Sequence, residues 1–469
     1  MLVAMFWKNT QIKWLIFIGM SQCFASAITR AEVSQPISYF DAVRLSLSSN
    51  PRIGASQAHI ESAQAAIIET RGSGLPKLGL EMNAGRSDNP LTVFGYKLSQ
   101  GNATFADFGF AQFTGPGSLF TKPQALDSPG YYNNYNTAFK LVVPIYSGGE
   151  TIARLKNTNA LLRAAQHGDE AARMQLAYDI LQAYEGVLAA KKLVLVAKEN
   201  VDAATSYLKT TKALFNQSLV IESDLLFADT YLRTAKTFLV AAQAQSQDQL
   251  DAFRSLIGHQ ERSYTPKGSV NFPATKKSIA DLTHDALLHN AQLSAIKSTI
   301  DAGRANVDAV NSANKPQVNL QLRQDWNGNT IGAGLPSNLI ALGVNWELFS
   351  SGERSGATKK AIAEVKQATF QLEDAANSLR LSLMQAKRAE QLAAVQYQAN
   401  RANATQAKEV VKHLAKRHGR GLVPLGQLLE SQMKLTEAKN QCIQSQYNEV
   451  LARGRLLMLT NKLIPSFEK

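Results

Sequence analysis

The sequence predicts an internally duplicated α+β membrane protein, in which long coiled-coil hairpins are joined to four amphipathic strands. Three observations lead there. The chain of 469 residues contains itself twice, it holds two proline-free stretches far longer than an ordinary helix, and its other patterned segments alternate apolar and polar residues with period two.

Residues 41–80 align without a gap on 281–320, at a constant offset of 240, so that Leu47 meets Leu287, Asn50 meets Asn290, Ile60 meets Ile300 and Pro76 meets Pro316. A second match, at an offset of 203, pairs Ser147, Gly149 and Glu150 with Ser350, Gly352 and Glu353 and runs through Leu219 and Leu422 to Lys236 and Lys439. The first copy therefore carries 37 extra residues between Leu80 and Pro144. Two copies of roughly 200 residues are too few and too long for a stacked solenoid. They mark a pseudo-symmetric body, with a first repeat at 28–264, a second at 265–463 and a tail at 464–469.

Residues 1–27 read as an export signal: Lys8 and Lys13 precede the apolar run 14–20, and Ala25, Ser26 and Ala27 offer a small-residue cleavage site. The run is too short to be an anchor, since a membrane helix needs about 20 residues. Ser21 and Gln22 poorly suit a lipoprotein signal at Cys23, so Cys442 is the sole cysteine of the exported chain and no intrachain disulfide is possible. The net charge of +13 includes Lys8 and Lys13, which leaves +11 after export. The positive residues are dispersed among Glu, Asp and Gln along helical stretches, unlike a clustered nucleic-acid-binding face. No nucleic-acid partner is expected.

A helix gives way to a strand around Gly72, Ser73 and Gly74, ahead of Pro76. Leu78, Leu80, Met82 and Ala84 then alternate with Gly79, Glu81 and Asn83, and the returning segment sets Phe139, Leu141 and Val143 against Lys140. The second repeat does the same with Val318, Leu320 and Leu322 against Asn319, Gln321 and Arg323, and with Ile340, Leu342, Val344 and Trp346 against Asn345. Such alternation marks a strand with one apolar face. A soluble sheet would bury that face on a core, but the helices are already committed to rods, so lipid is the expected apolar partner. Four strands cannot close a barrel alone, so the chain must oligomerise. The insertion, residues 85–136, is aromatic and turn-rich, with Phe94, Tyr96, Phe105, Phe108 and Pro90 among others. It reads either as a ligand-binding or pore-capping loop, or as an ordered lid anchored in the aromatic interface belt.

Residues 150–214 and 353–417 hold no proline, and about 65 helical residues at 1.5 Å each reach roughly 100 Å. Ile180, Leu181, Tyr184, Val187 and Leu188 keep the spacing of a buried stripe. Each long helix folds back at a matched turn, near 216–223 and at Gly419, Gly421 and Pro424, into return helices expected at 224–257 and 427–453.

With those residues in view, the chain from about Ile37 to Leu463 resembles the TolC-type outer-membrane efflux proteins. The likeness rests on the strand-to-helix segments 144–150 and 348–353, and on the turns 218–225 and 421–428. It implies a long α-helical barrel joined to a trimeric 12-stranded transmembrane β-barrel, four strands per chain. It also implies a homotrimer, a periplasmic adaptor (membrane fusion) protein, an inner-membrane pump and outer-membrane lipid as partners. The implied function is a passive export duct gated at its periplasmic tip, with loops 85–136 and 327–337 outside the cell. The alternative is a periplasmic coiled-coil adaptor or scaffold without a pore.

No enzymatic constellation is expected. The seven histidines form no His-Glu-x-x-His or Cys-plus-His set, there is no phosphate loop, and neither a cofactor nor a metal is expected. At the tip, the resemblance assigns a closing contact between Asp224 and positions occupied by His418 and Val423, where the family has a tyrosine and an arginine. It places a constriction ring at Gln427 and Glu430, only one of which is a carboxylate. Lys412, Lys416, Arg417, His418 and Arg420 form a basic run, read as a helix end complementing its dipole or as an adaptor-docking surface using Arg417, Arg420 and grooves around Val220 and Val423.

Overall fold

The computed structural model describes residues 35–258, 264–332 and 334–464. The export signal at 1–27, His259 and residues 465–469 of the tail lie outside the described residues. In chain order the elements are β1 (Gln35–Ile37), α1 (Tyr39–Ser49), α2 (Pro51–Ser73), β2 (Lys77–Ser87), α3 (Pro90–Ser99), α4 (Gln124–Asp127), β3 (Tyr132–Tyr146), α5 (Glu150–Asn216), α6 (Glu222–Ile257), β4 (Tyr264–Pro266), α7 (Ile279–His289), α8 (Ala291–Ser312), β5 (Gln317–Gly328), β6 (Leu335–Asn345), α9 (Glu353–His418) and α10 (Leu425–Leu459). The duplication is visible element by element: α1 matches α7 residue for residue at the offset of 240, and α5 and α6 match α9 and α10. The return helices start earlier than expected, at Glu222 and Leu425, and α10 runs on to Leu459. Trp346 falls one residue beyond β6, where its indole N–H donates to the Asn314 carbonyl at 3.1 Å.

The same capping chemistry recurs in both copies. Asn50 and Asn290 each cap a helix, their side-chain oxygens accepting from Arg52 N and Leu293 N. Ser38 and Ser278 each bond the carboxylate three residues on, Asp41 and Asp281. The strand-to-helix corner is also repeated: Gly148 and Gly149 have φ of 68° and 89°, and Ser351 and Gly352 have 49° and 90°. At Gly148 a side chain is excluded outright, because a Cβ would lie 2.6 Å from the Ser312 carbonyl oxygen.

The chain divides into two compact units. The first contains β1, α1, α6 and β4 with the tip-side portions of α5, α9 and α10. Tyr184 anchors it, with edge-on ring contacts to Tyr39 and Phe253, and with its hydroxyl 2.9 Å from the carbonyls of Lys267 and Gly268. Towards the turns, Tyr207, Ala228, Val411, Leu425, Leu428 and Leu435 form the buried seam of two antiparallel hairpins. The second unit contains α2, α7, α8, the remainder of the long helices and the sheet. Its helical core is Ala286, Leu293, Leu379, Leu383, Ala386 and Leu456.

The sheet is antiparallel throughout, in the order β2-β3-β5-β6, with a bulge between Pro144 and Tyr146. Among the described residues its outer strands, β2 and β6, each have one unpaired edge.

Candidate functional site: a two-faced sheet and a helical tip

Register decides which residues share a face of the sheet. Leu78 opposes Leu141, Leu141 opposes Leu322 and Leu322 opposes Ile340, so one apolar row crosses all four strands. These side chains have no cover of their own: Leu78 is 71% exposed and Ile340 76%. Phe139 and Trp326 stack edge-on, 5.9 Å apart, on the same face. That is the lipid-facing pattern of a transmembrane strand set.

The opposite face is polar and charge-balanced. Lys140 opposes Arg323, with Ala138 beside it opposing both Glu81 and Asp325. Arg323 bonds Glu81 at 2.6 Å and Asp325 at 2.8 Å, and Lys140 lies 3.5 Å from Glu81. Asn136 extends the network to Asp325 and Asn327. Sequence reading placed Glu81, Lys140 and Arg323 on the polar side but missed Asp325 and the closure of the quartet, which depends on register between the two repeats.

The insertion lies over this polar face. It spans residues 88–131, shorter than expected because β2 reaches Ser87 and β3 starts at Tyr132. Asn89 caps α3, with Pro90 at the first helical position. The α3 C-cap, Gln100, is buried and donates its amide to Asn133 O and Asn134 Oδ1, both at 2.9 Å. Lys97 pairs with Asp107, which also accepts from Thr104 N at 2.7 Å, and the Lys97 ammonium lies 5.6 Å from the Tyr132 ring centroid. The Lys97 ammonium and the Thr104 amide hold the Asp107 carboxyl below its usual range.

At the tip, both turns close with the same helix-ending motif. Leu219 N donates to Leu214 O at 3.0 Å and Ser218 N to Phe215 O at 2.8 Å; Leu422 N donates to Arg417 O at 3.0 Å and Gly421 N to His418 O at 2.8 Å. Ser218 and Gly421 take the left-handed conformation this requires, with φ of 58° and 70°. The turn folds His418 inward. It is 1% exposed, its Nδ1 donates to the Val423 carbonyl at 2.9 Å, and its Nε2 is 3.4 Å from the Thr211 hydroxyl. His418 is thus engaged with Thr211 and Val423. Asp224 is half-buried in the first turn of α6. Val423 is buried, Val220 is half-buried, and Arg417 and Arg420 are exposed. Gln427 and Glu430 are exposed, and Glu430 is paired with Lys434 at 2.7 Å.

A second polar cluster inside the same unit was not foreseen. Asn200 Oδ1 accepts from the Tyr231 hydroxyl at 2.8 Å and from Gln432 Nε2 at 3.2 Å, and the Tyr207 hydroxyl donates to Gln432 Oε1 at 2.9 Å. Asn200, Tyr207 and Gln432 are all buried, and burial pushes the Tyr207 phenol up to about 12. These residues tie α5 and α6 of the first hairpin to α10 of the second.

Among the described residues no helix is long and apolar enough to cross a membrane. A sheet with a lipid face and a polar face, fed by helices of 67 and 66 residues, defines a membrane channel protein with a helical extension. Residues 42–259 and 282–462 match the outer membrane efflux protein family, and the chain belongs to that family. It is 20% identical over 337 residues to the alkaline protease secretion protein AprF of Pseudomonas aeruginosa, covering 69% of each chain. It is also 20% identical over 290 residues to the outer membrane efflux protein BepC of Brucella suis, covering 61% of this chain and 63% of BepC. The Campylobacter jejuni CmeC outer membrane channel has the same fold, with a TM-score of 0.74 at 15% identity, covering 92% of this chain and 87% of CmeC. The protein is therefore an outer-membrane export duct with a long periplasmic helical extension, a passive channel and not an enzyme. Nothing in these comparisons supports the poreless adaptor.

Proposed function

We propose that the exported chain, beginning at Ile28, assembles as a homotrimer in which four strands from each copy close one 12-stranded barrel. Cargo, solute or protein, is handed to it by a periplasmic adaptor and an inner-membrane pump. The observation that carries the trimer is the pair of unpaired edges on β2 and β6 of a sheet whose apolar row faces outwards. In lipid each unsatisfied backbone group costs several kcal/mol, so both edges must be paired, and rotational closure by identical copies pairs them.

The tip is the gated end in this reading. His418, Thr211 and Val423 hold the second turn, Asp224 stands at the first, and Glu430 contributes one carboxylate per copy to the constriction. Exposed Arg417 and Arg420 form the adaptor-facing surface beside Val220. The test is fractionation followed by planar-bilayer recording. A heat-resistant trimer in the outer membrane that conducts ions is the expected result; a monomer without conductance overturns the assembly.

A further inference from the structure

The apolar face of the sheet must meet lipid, so the polar face of Glu81, Lys140, Arg323 and Asp325 lines the lumen, and whatever rests on that face is inside the channel mouth. The insertion rests there. Gln100 bonds Asn134, whose amide lies 3.3 Å from Asn327 Oδ1, and both asparagines lie on the lumenal face at the outer ends of β3 and β5. Gly85, opposite Asn134, leaves room for the Tyr96 ring, since a Cβ there would lie 2.6 Å from the Tyr96 hydroxyl. Gly101, with φ of 67°, lets the chain pass Leu335 at the start of β6, where a Cβ would be 3.2 Å from the leucine methyl. A loop held in the headgroup belt would instead pack on the face of Phe139 and Trp326.

The second repeat joins the same two strand ends directly, between Gly328 and Leu335, so the 37 extra residues are not needed to build the barrel. Inside the insertion the Lys97 and Asp107 pair and the capping box of Thr104 with Asp107 fix the segment that follows α3. Val93 is fully buried beneath it. The insertion has its own small core and ion pair, and is held to the wall by side-chain hydrogen bonds.

We infer that residues 88–131 form an inward-folded collar at the external mouth, a second constriction distinct from the periplasmic tip, which sets the upper size of the cargo the channel releases. The inference rests on the duct reading and deepens it. Each copy contributes one collar, so the three collars narrow the mouth together. A fixed collar passes solutes and extended chains and excludes folded bodies.

The test uses a cysteine at Gln321, on the lumenal face about 20 Å below Asn327 by strand rise, in a Cys442→Ser background. Intact cells are treated from outside with a small charged maleimide or with a maleimide carrying a long polyethylene glycol chain. The collar predicts labelling by the small reagent and loss of labelling by the large one. Replacing residues 88–131 by Asn-Gly, which closes the directly opposed pair Ser87 and Tyr132 as a tight hairpin, should restore the large reagent to the level of the small one. A companion variant, Tyr96→Ala with Gln100→Ala, keeps the full loop and loosens its anchors, and should restore labelling in part if the trimmed variant fails to assemble. Equal labelling by both reagents with the loop intact overturns the collar. Failure of the small reagent overturns instead the assignment of the polar face to the lumen.

Discussion

Tyr207→Phe removes one hydroxyl from the buried cluster that joins the two hairpins, and its consequence follows from what stays behind. Gln432 Oε1 accepts from Tyr207 at 2.9 Å, and no other group is within bonding distance of that oxygen among the described residues. In the variant the oxygen remains buried without a donor, at a cost of about 1–3 kcal/mol. The cost is charged only to the packed arrangement, because separation of the hairpins returns the oxygen to water. If opening of the tip separates α10 from α5, the closed-to-open ratio shifts towards open by about 5–150-fold, from roughly tenfold per 1.4 kcal/mol. Planar-bilayer recording reads this as a raised open fraction, with thermal unfolding followed in parallel. Replacing both partners, Tyr207→Phe with Gln432→Leu, leaves no orphaned acceptor and should return the open fraction towards wild type, which makes the pair a double-mutant cycle. An open fraction unchanged in Tyr207→Phe, alongside a lowered melting temperature, would refute the gating role. The pH dependence has a definite sign: the phenol is raised from 10.0 to about 12, so this contribution to stability is full below pH 10 and is lost as pH rises towards 12.

Four further outcomes follow. Ser218→Gly should stabilise the first tip turn and Gly421→Ala should weaken the second, each by about 1 kcal/mol, because both positions are left-handed; chemical denaturation of the detergent-solubilised protein checks both. Glu430→Gln should lower cation preference and block by multivalent cations, while Lys434→Gln, which strips the neighbouring ammonium 2.7 Å away, should raise them; reversal potentials in asymmetric salt decide, and identical values in all three proteins would remove Glu430 from the ring. Charge reversal at Arg417 and Arg420 should abolish export while trimers persist, and unchanged export would show that the basic run only complements the helix dipole. The collar should keep its hold until acid titrates Asp107: its carboxyl is depressed below 3.8, so the stabilisation is present above that value and is lost as pH falls through the lower folded value, read by protease access to residues 100–110.

Much of the architecture was legible because it depends on periodicity, which a sequence carries openly. Proline-free runs located α5 and α9, alternation located the four strands, and the internal repeat paired Asn50 with Asn290, which the structure shows as matching caps. What was not legible depends on side chains that meet across long separations. His418 sits in a run of cations, and nothing in that run shows that the left-handed Gly421 turns the chain so that the imidazole meets Thr211. Asn200, Tyr207 and Gln432 are individually ordinary helical residues, and only the packing of three helices makes them one cluster. In the insertion the Asn89 and Pro90 pair was a readable helix start, yet its position over the lumenal face depends on Gly85 and Gln100 meeting partners that the loop sequence does not name.

The duplication also explains where the two copies have been allowed to differ. Residues that build the common frame are paired across the repeats, as Leu225 with Leu428 and Leu219 with Leu422. The copies differ along their whole length, and some of the differences fall at the ends. Asp224 and Phe227 of the first copy stand where the second has Gln427 and Glu430, and buried Leu214 stands where the second has exposed Arg417. At the other end of the sequence pattern, the first copy has the collar where the second has a short turn. A frame shared by both copies cannot by itself distinguish one hairpin or one strand pair from the other. The substitutions at Gln427 and Glu430 and the insertion 88–131 are differences between the copies that the predictions above put to the test.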